Sequence, residues 1–278
     1  MTGLFLAVIF GAAFSHLIRY GQHRAQNMLW VAPVNYWTAT AASLFLWVAG
    51  PHPVVSWGEA FLGVVAGAAL GSAFYFLNSA IKLAGVGVAQ SVGRLSVAIP
   101  VLASIVIWDE QPGLARGIGF ALALVAIPML TQGRGMVGLE RNKWKPLVLF
   151  GSFVTIGIVG VAMKSFSRTL AAGEPAFLTL MFFTAAIGAQ TVVLAKPGRL
   201  RVSDMLLGGA LGLTNVISNY GIIHALATLP GTVVFPTVSA GAIVLTSVCA
   251  AIIWKERYTG TAILGMVIAS IALVLINR

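Results

Sequence analysis

Ten continuous apolar runs fill this 278-residue chain, at residues 2–19, 28–49, 57–82, 86–107, 113–131, 146–168, 174–195, 203–227, 231–253 and 259–277. A helix needs about 20 such residues to cross roughly 30 Å of hydrocarbon, and only helices or closed barrels satisfy their backbone there. The runs do not alternate with period two, so helices are predicted. With 59% hydrophobic and 9% charged residues, the chain has too little polar surface to cover a water-soluble globule. The seven acids (Glu59, Asp109, Glu110, Glu140, Glu174, Asp204, Glu256) all lie at or near run ends, as expected where hydrocarbon excludes ions. Turn-forming Gly and Pro clusters such as Gly50-Pro51-His52-Pro53 and Gln111-Pro112-Gly113 fall between the runs.

The runs are organised as a repeat. Residues 85–119 and 231–265 align without gaps, pairing Gly85 with Gly231, Trp108 with Trp254, Glu110 with Glu256 and Gly119 with Gly265. The same offset of 146 residues pairs Gly11 with Gly157, Thr38 with Thr184, Gly63 with Gly209 and Ser72 with Ser218. Each copy therefore holds five runs: 1–131 is the first, 146–278 the second, and 132–145 is a basic linker with Arg134, Arg141, Lys143 and Lys145. After an odd number of crossings the chain is on the other side of the membrane, so the second copy must insert upside down. The expected fold is an all-α membrane protein of ten transmembrane helices in two inverted five-helix repeats, an arrangement that places a substrate cavity near mid-membrane.

The apolar fourth and ninth runs each end in Trp-x-Glu and lead to a Gly-bearing next run: Trp108-Asp109-Glu110 with Gly117 and Gly119, and Trp254-Lys255-Glu256 with Gly265. In these features, and in its two five-helix copies, the chain resembles the ten-helix EamA-type members of the drug/metabolite transporter superfamily. The resemblance implies a helical bundle with a central cavity, lined largely by the first, third, fourth, sixth, eighth and ninth helices. It also implies movement of small organic solutes without ATP.

A net charge of +10 would suggest nucleic acid in a soluble chain, but here most basic residues sit in short loops between runs. Sorting Lys and Arg by loop parity puts twelve on one side and four on the side of the termini, so the positive-inside rule places both termini outside. The family resemblance implies cytoplasmic termini, and tagging each terminus in intact cells decides between the two. A lone Cys249 cannot form an internal disulfide and reads as a packing residue. The first run lacks a basic segment before it and is read as a retained helix rather than a signal peptide. No cofactor is expected. The expected partners are a small organic solute and membrane lipids, with no nucleic acid and with a homodimer left open.

Arg94 lies about eight residues, or roughly 12 Å, inside the fourth run, with no acid at comparable depth. Burying its charge there costs at least a few kcal/mol unless it is paired or wetted, so it reads either as a substrate or pathway contact or as a structural arginine on backbone carbonyls. Its repeat partner is Ala240, so the shared fold does not impose it. The third run carries a polar stripe of Ser72, Tyr75, Ser79 and Lys82 at helical spacing; the eighth carries Asn215 and Asn219 one turn apart; Asn78 and His224 are equivalent positions. His16, Asn35, Trp37 and Ser239 complete the substrate-binding candidates, alongside Arg94, Tyr75, Asn78, Ser79, Asn215, Asn219 and His224. For each polar residue the alternative is a simple interhelical hydrogen bond, and for Trp37 a lipid-facing ring. Glu110 and Glu256 read as helix-start caps or loop charges rather than proton carriers. Glycine runs such as Gly63-x-x-x-Gly67-x-x-x-Gly71 and Gly208-Gly209-x-x-Gly212 read as close helix contacts. Pro100 and Pro236 are expected to interrupt the fourth and ninth helices.

Three function classes follow. The leading one is a secondary transporter of a small organic metabolite, with a carboxylate or phosphate favoured by the deep positive charge, in the cytoplasmic membrane of a bacterium. A non-transporting assembly subunit is the alternative. An intramembrane enzyme fares worse, because the four His are scattered and no HExxH, GxSxG or Walker A sequence occurs.

Overall fold

The structure is a computed structural model that describes residues 2–50, 54–84, 86–131, 144–169, 173–195, 199–253, 255 and 259–278. Within these stretches the side chains at 78, 82, 84, 86–88, 90, 91, 130, 131 and 169 lie outside the description, as does most of the expected linker. All regular structure among the described residues is helical: α1 (Thr2–His23), α2 (Met28–Ala49), α3 (Trp57–Ala84), α4 (Val86–Leu95), α5 (Ala98–Trp108), α6 (Leu114–Thr131), α7 (Lys145–Thr169), α8 (Glu174–Leu194), α9 (Val202–Thr228), α10 (Gly231–Ile253) and α11 (Gly260–Ile276). These follow the apolar runs to within a few residues, and six helices are long and apolar enough to cross a membrane. This is an all-helical membrane protein.

Two expectations are corrected, those for Pro236 and Lys164. The fourth run is interrupted close to Pro100, giving α4 and α5, whereas Pro236 sits inside an unbroken α10. With no N–H on Pro100, the Ser96 carbonyl instead accepts from the Ile99 N–H at 3.0 Å, and Val97 donates to the Arg94 carbonyl at 3.3 Å. The ladder tightens from i+4 to i+3 across this step, as in a 3₁₀ turn. Lys164, counted among the loop charges from sequence, lies well inside α7 and is 2% exposed.

The helices form two compact units, 1–71 with 162–228 and 72–161 with 229–278, so each unit draws on both halves of the sequence. In the first unit α1 packs on α9, and α2 packs on both α8 and α9. The close approach of α1 to α9 depends on glycine: a Cβ on Gly221 would lie 2.6 Å from the Gly3 carbonyl oxygen and 2.9 Å from the Ala7 amide. Glycine runs work the same way elsewhere, with Gly63 and Gly67 facing α8, and Gly208 and Gly212 facing α2. Tyr36 stacks on Phe182 (6.5 Å) and Trp37 meets Phe183 edge-on (5.8 Å), each aromatic touching the residue 146 positions away.

In the second unit α6 packs on α11, and α10 on α5, α6 and α11. Gly119 faces Ala272 and Ile276, while Ala126 and Ile127 cluster with Ala269. The partner number falls as the residue number rises, so α6 and α11 run antiparallel. Lipid supplies no hydrophobic drive between helices, and such contacts rest on van der Waals fit. Gly221→Leu is therefore expected to cost about 1–3 kcal/mol by overpacking, read as a fall in the detergent unfolding midpoint; an unchanged midpoint would contradict the α1–α9 crossing.

Candidate functional site

The break in the fourth run places Arg94 in the last turn of α4, where the partial negative charge of the helix C-terminus favours a cation. Its backbone is fixed from both sides. A Cβ on Gly93 would meet Ile156 at 3.3 Å and Leu77 at 3.7 Å, while Leu95 packs on the Ala126, Ile127, Ile243 and Ala269 cluster. Ser96 is buried and closes the turn by donating from Oγ to the Gly93 carbonyl at 2.6 Å. Arg94 itself is half-buried, and among the described residues no carboxylate pairs with it. A guanidinium in this setting offers a fork of donors suited to a carboxylate or phosphate.

The other candidates of this unit stand on the helices the sequence assigns them. Tyr75 is half-buried on α3 with its ring edge-on to Phe74 at 5.6 Å, Ser79 is half-buried one turn further along, and Ser239 is half-buried on α10. The Asn78 side chain lies outside the described residues.

In the first unit the structure brings three of the predicted residues together. Asn219 donates to Asn215 Oδ1 at 2.7 Å, and Asn215 Nδ2 donates to Asn35 Oδ1 at 3.4 Å, so a ladder of amides ties α9 to α2. Asn35 is buried, and each amide uses its neighbour to satisfy groups that hydrocarbon cannot. His224, half-exposed near the end of α9, stacks on Tyr220 at 6.0 Å and faces Glu174 Oε1 across 3.4 Å. It is not joined to the amide ladder by any hydrogen bond among the described residues. Trp37 is 40% exposed against Phe183, and His16 is half-buried on α1.

Sequence reading underrated the acids. Glu59 accepts from the Ser56 N–H (2.9 Å) and hydroxyl (2.8 Å) at the start of α3. Asp204, fully buried, accepts from the Arg201 N–H at 3.2 Å and the Asn27 N–H at 3.1 Å, binding the starts of α9 and α2 together. The Ser56-x-x-Glu59 spacing of a capping box was available to find the first. The second joins residues 177 apart, which spacing cannot reveal.

Apolar helices, with one run of them broken beside Arg94, define a polytopic membrane protein. Residues 1–132 match the EamA-like transporter family, in agreement with the drug/metabolite transporter resemblance carried by the Trp-x-Glu motifs. An uncharacterized protein of Haemophilus influenzae is 25% identical over 96% of this chain and 94% of its own length. A protein of known crystal structure shares the fold at a TM-score of 0.83, with 18% identity over 99% of this chain and 94% of that one.

The amide ladder yields a measurable coupling. Single and double alanine variants of Asn35 and Asn215 are expected to show an interaction free energy of about 0.6 kcal/mol, the usual size for membrane interhelical bonds, and at most about 1.7. Strict additivity in detergent unfolding would show that the bond contributes nothing.

Proposed function

We propose that the protein is a secondary transporter that moves a small organic metabolite across the cytoplasmic membrane of a bacterium by alternating access. The observation that carries this reading is the interrupted fourth run with Arg94 at its edge. Transporters place discontinuous helices at their substrate sites, where helix ends and freed backbone groups meet the solute. An intramembrane cation with no carboxylate partner among the described residues is suited to an anionic group, so the favoured substrates carry a carboxylate or phosphate. No catalytic reaction belongs to this reading.

Ten crossings in two inverted five-helix repeats complete it. The antiparallel run of α6 against α11, which are repeat equivalents, supports inversion. The self-equivalent pairs Tyr36–Phe182 and Trp37–Phe183 support a two-fold relation between α2 and α8, since a residue meets its own equivalent only near such an axis. On this reading the match of residues 1–132 to a transporter family extends to the second copy through the repeat.

The substrate can be found by thermal-shift screening of the purified protein against a metabolite library. With an anionic hit reconstituted into vesicles, Arg94→Gln and Arg94→Ala are expected to lower uptake about 10- to 100-fold, the worth of a lost charged hydrogen bond of about 1.5–3 kcal/mol. Elution and unfolding midpoint should stay those of the parent. Full transport by Arg94→Gln would remove the anion preference, and a protein that moves no library compound would favour an assembly subunit instead.

A further inference from the structure

Outside the Arg94 region, an ionisable group tied across distant helices is Glu110, the last residue of the first Trp-x-Glu motif. Its carboxylate reaches the start of α10, where Oε1 accepts from the Gly231 N–H and Oε2 from the Thr232 N–H, both at 3.0 Å. The next two amides of α10, Val233 and Val234, donate to the Pro230 carbonyl at 3.0 Å each. The four N–H groups that a helix start leaves unpaired are thus all accounted for, two of them by one side chain from the other half of the sequence.

Glu110 is equally tied to its own helix. Asp109 takes a left-handed conformation (φ 51°, ψ 35°), and the amides of Asp109 and Glu110 both donate to the Ser104 carbonyl, closing the end of α5. Lys255, the repeat equivalent of Asp109, has the same φ of 51°, so this exit geometry is a property of the motif. Glu256 lies outside the described residues and carries no part of the inference.

Two further observations make this more than a cap. First, α5 is an 11-residue helix with an irregular step, Ser96–Val97, at its other end, next to Arg94. Second, Ser104 Oγ is buried and has no hydrogen-bond partner among the described residues, and it lies against Gly231 so closely that a Cβ there would collide with it. An unused hydroxyl beside an amide now held by Glu110 is an alternative acceptor for that amide.

We propose that Glu110 is the latch of a gate formed by α5: the helix is hinged at Ser96–Val97 and held shut by the carboxylate on Gly231 and Thr232, and it swings during transport with Ser104 Oγ taking over the Gly231 N–H. The inference rests on the transporter reading, since it names the moving part of that same site. It makes Glu110 a positioning residue for transport, because it acts through α5 on the arginine at the hinge and touches no solute.

The test uses the full chain with Cys249→Ala and Thr232→Cys, since Thr232 is 3% exposed beneath the latch and keeps its backbone N–H when substituted. The protein is reconstituted into phosphatidylethanolamine–phosphatidylglycerol vesicles and treated with a charged methanethiosulfonate reagent. Glu110→Ala is expected to raise the modification rate at position 232 at least about 10-fold, and Glu110→Gln, which keeps one acceptor oxygen, by less. An unchanged rate in a Glu110→Ala protein that elutes and melts like its parent would overturn the latch. If that variant does not fold, hydrogen exchange of the unsubstituted protein decides: the amides of 231 and 232 are expected to exchange well before those in the middle of α10, and equal protection would overturn the proposal. Failure of the underlying reading looks different, as a protein whose position 232 opens in Glu110→Ala while the parent moves no solute.

Discussion

In hydrocarbon an unpaired backbone amide or carbonyl costs several kcal/mol, and at several irregular points among the described residues that debt is settled by something other than the i+4 ladder. At Pro100 the missing donor is replaced by an i+3 bond from Ile99 and by the Ser96 hydroxyl on the Gly93 carbonyl. At Pro236 the helix continues although the proline, five residues past the first of α10, leaves the Thr232 carbonyl without an i+4 donor.

The acids follow from the same constraint. A carboxylate cannot sit at depth without a partner, and at helix starts it finds two or more N–H groups together with the favourable end of the macrodipole. Asp204 and Glu110 each accept from two N–H groups and join helices distant in sequence, while Glu59 accepts from the N–H and hydroxyl of Ser56 just before its own helix. Being multiply bonded, Asp204 and Glu110 fix where one helix begins against another, which small-residue contacts along the shafts do not specify. Register along the membrane normal is thus set by charge at the ends, and separation by glycine in the middle.

Most of this architecture was legible in the residues because its causes are local. Apolar length marked every helix to within a few residues, and glycine spacing marked the faces along which α3 meets α8 and α9 meets α2. Charge depth singled out Arg94. What sequence could not give were relations whose energy is shared between distant partners. The split at Ser96 depends on a serine hydroxyl reaching back to Gly93, the Asp204–Asn27 bond spans most of the chain, and the amide ladder needs α2 and α9 to lie side by side. Burial of Lys164 is hidden for a different reason: sorting cations by loop parity takes no account of a lysine five residues inside the end of α7.

The repeat explains the scaffold, so chemistry should be sought where the two copies differ. At the offset of 146, Arg94 stands against Ala240, Asn35 against Met181, Asn215 against Ala69, Asn219 against Ala73 and Glu174 against Met28. Every one of these polar groups has a small or apolar counterpart, while the residues that make the helix contacts, such as Gly119 with Gly265 and Gly63 with Gly209, are kept. That asymmetry also assigns costs: each polar substitution sits in a copy whose partner shows that the fold does not require it, so its retention inside an apolar helix must be supported by a bond it makes. For Asn35, Asn215 and Asn219 that bond is to each other. For Arg94 the partial negative charge at the end of α4 supplies part of that support.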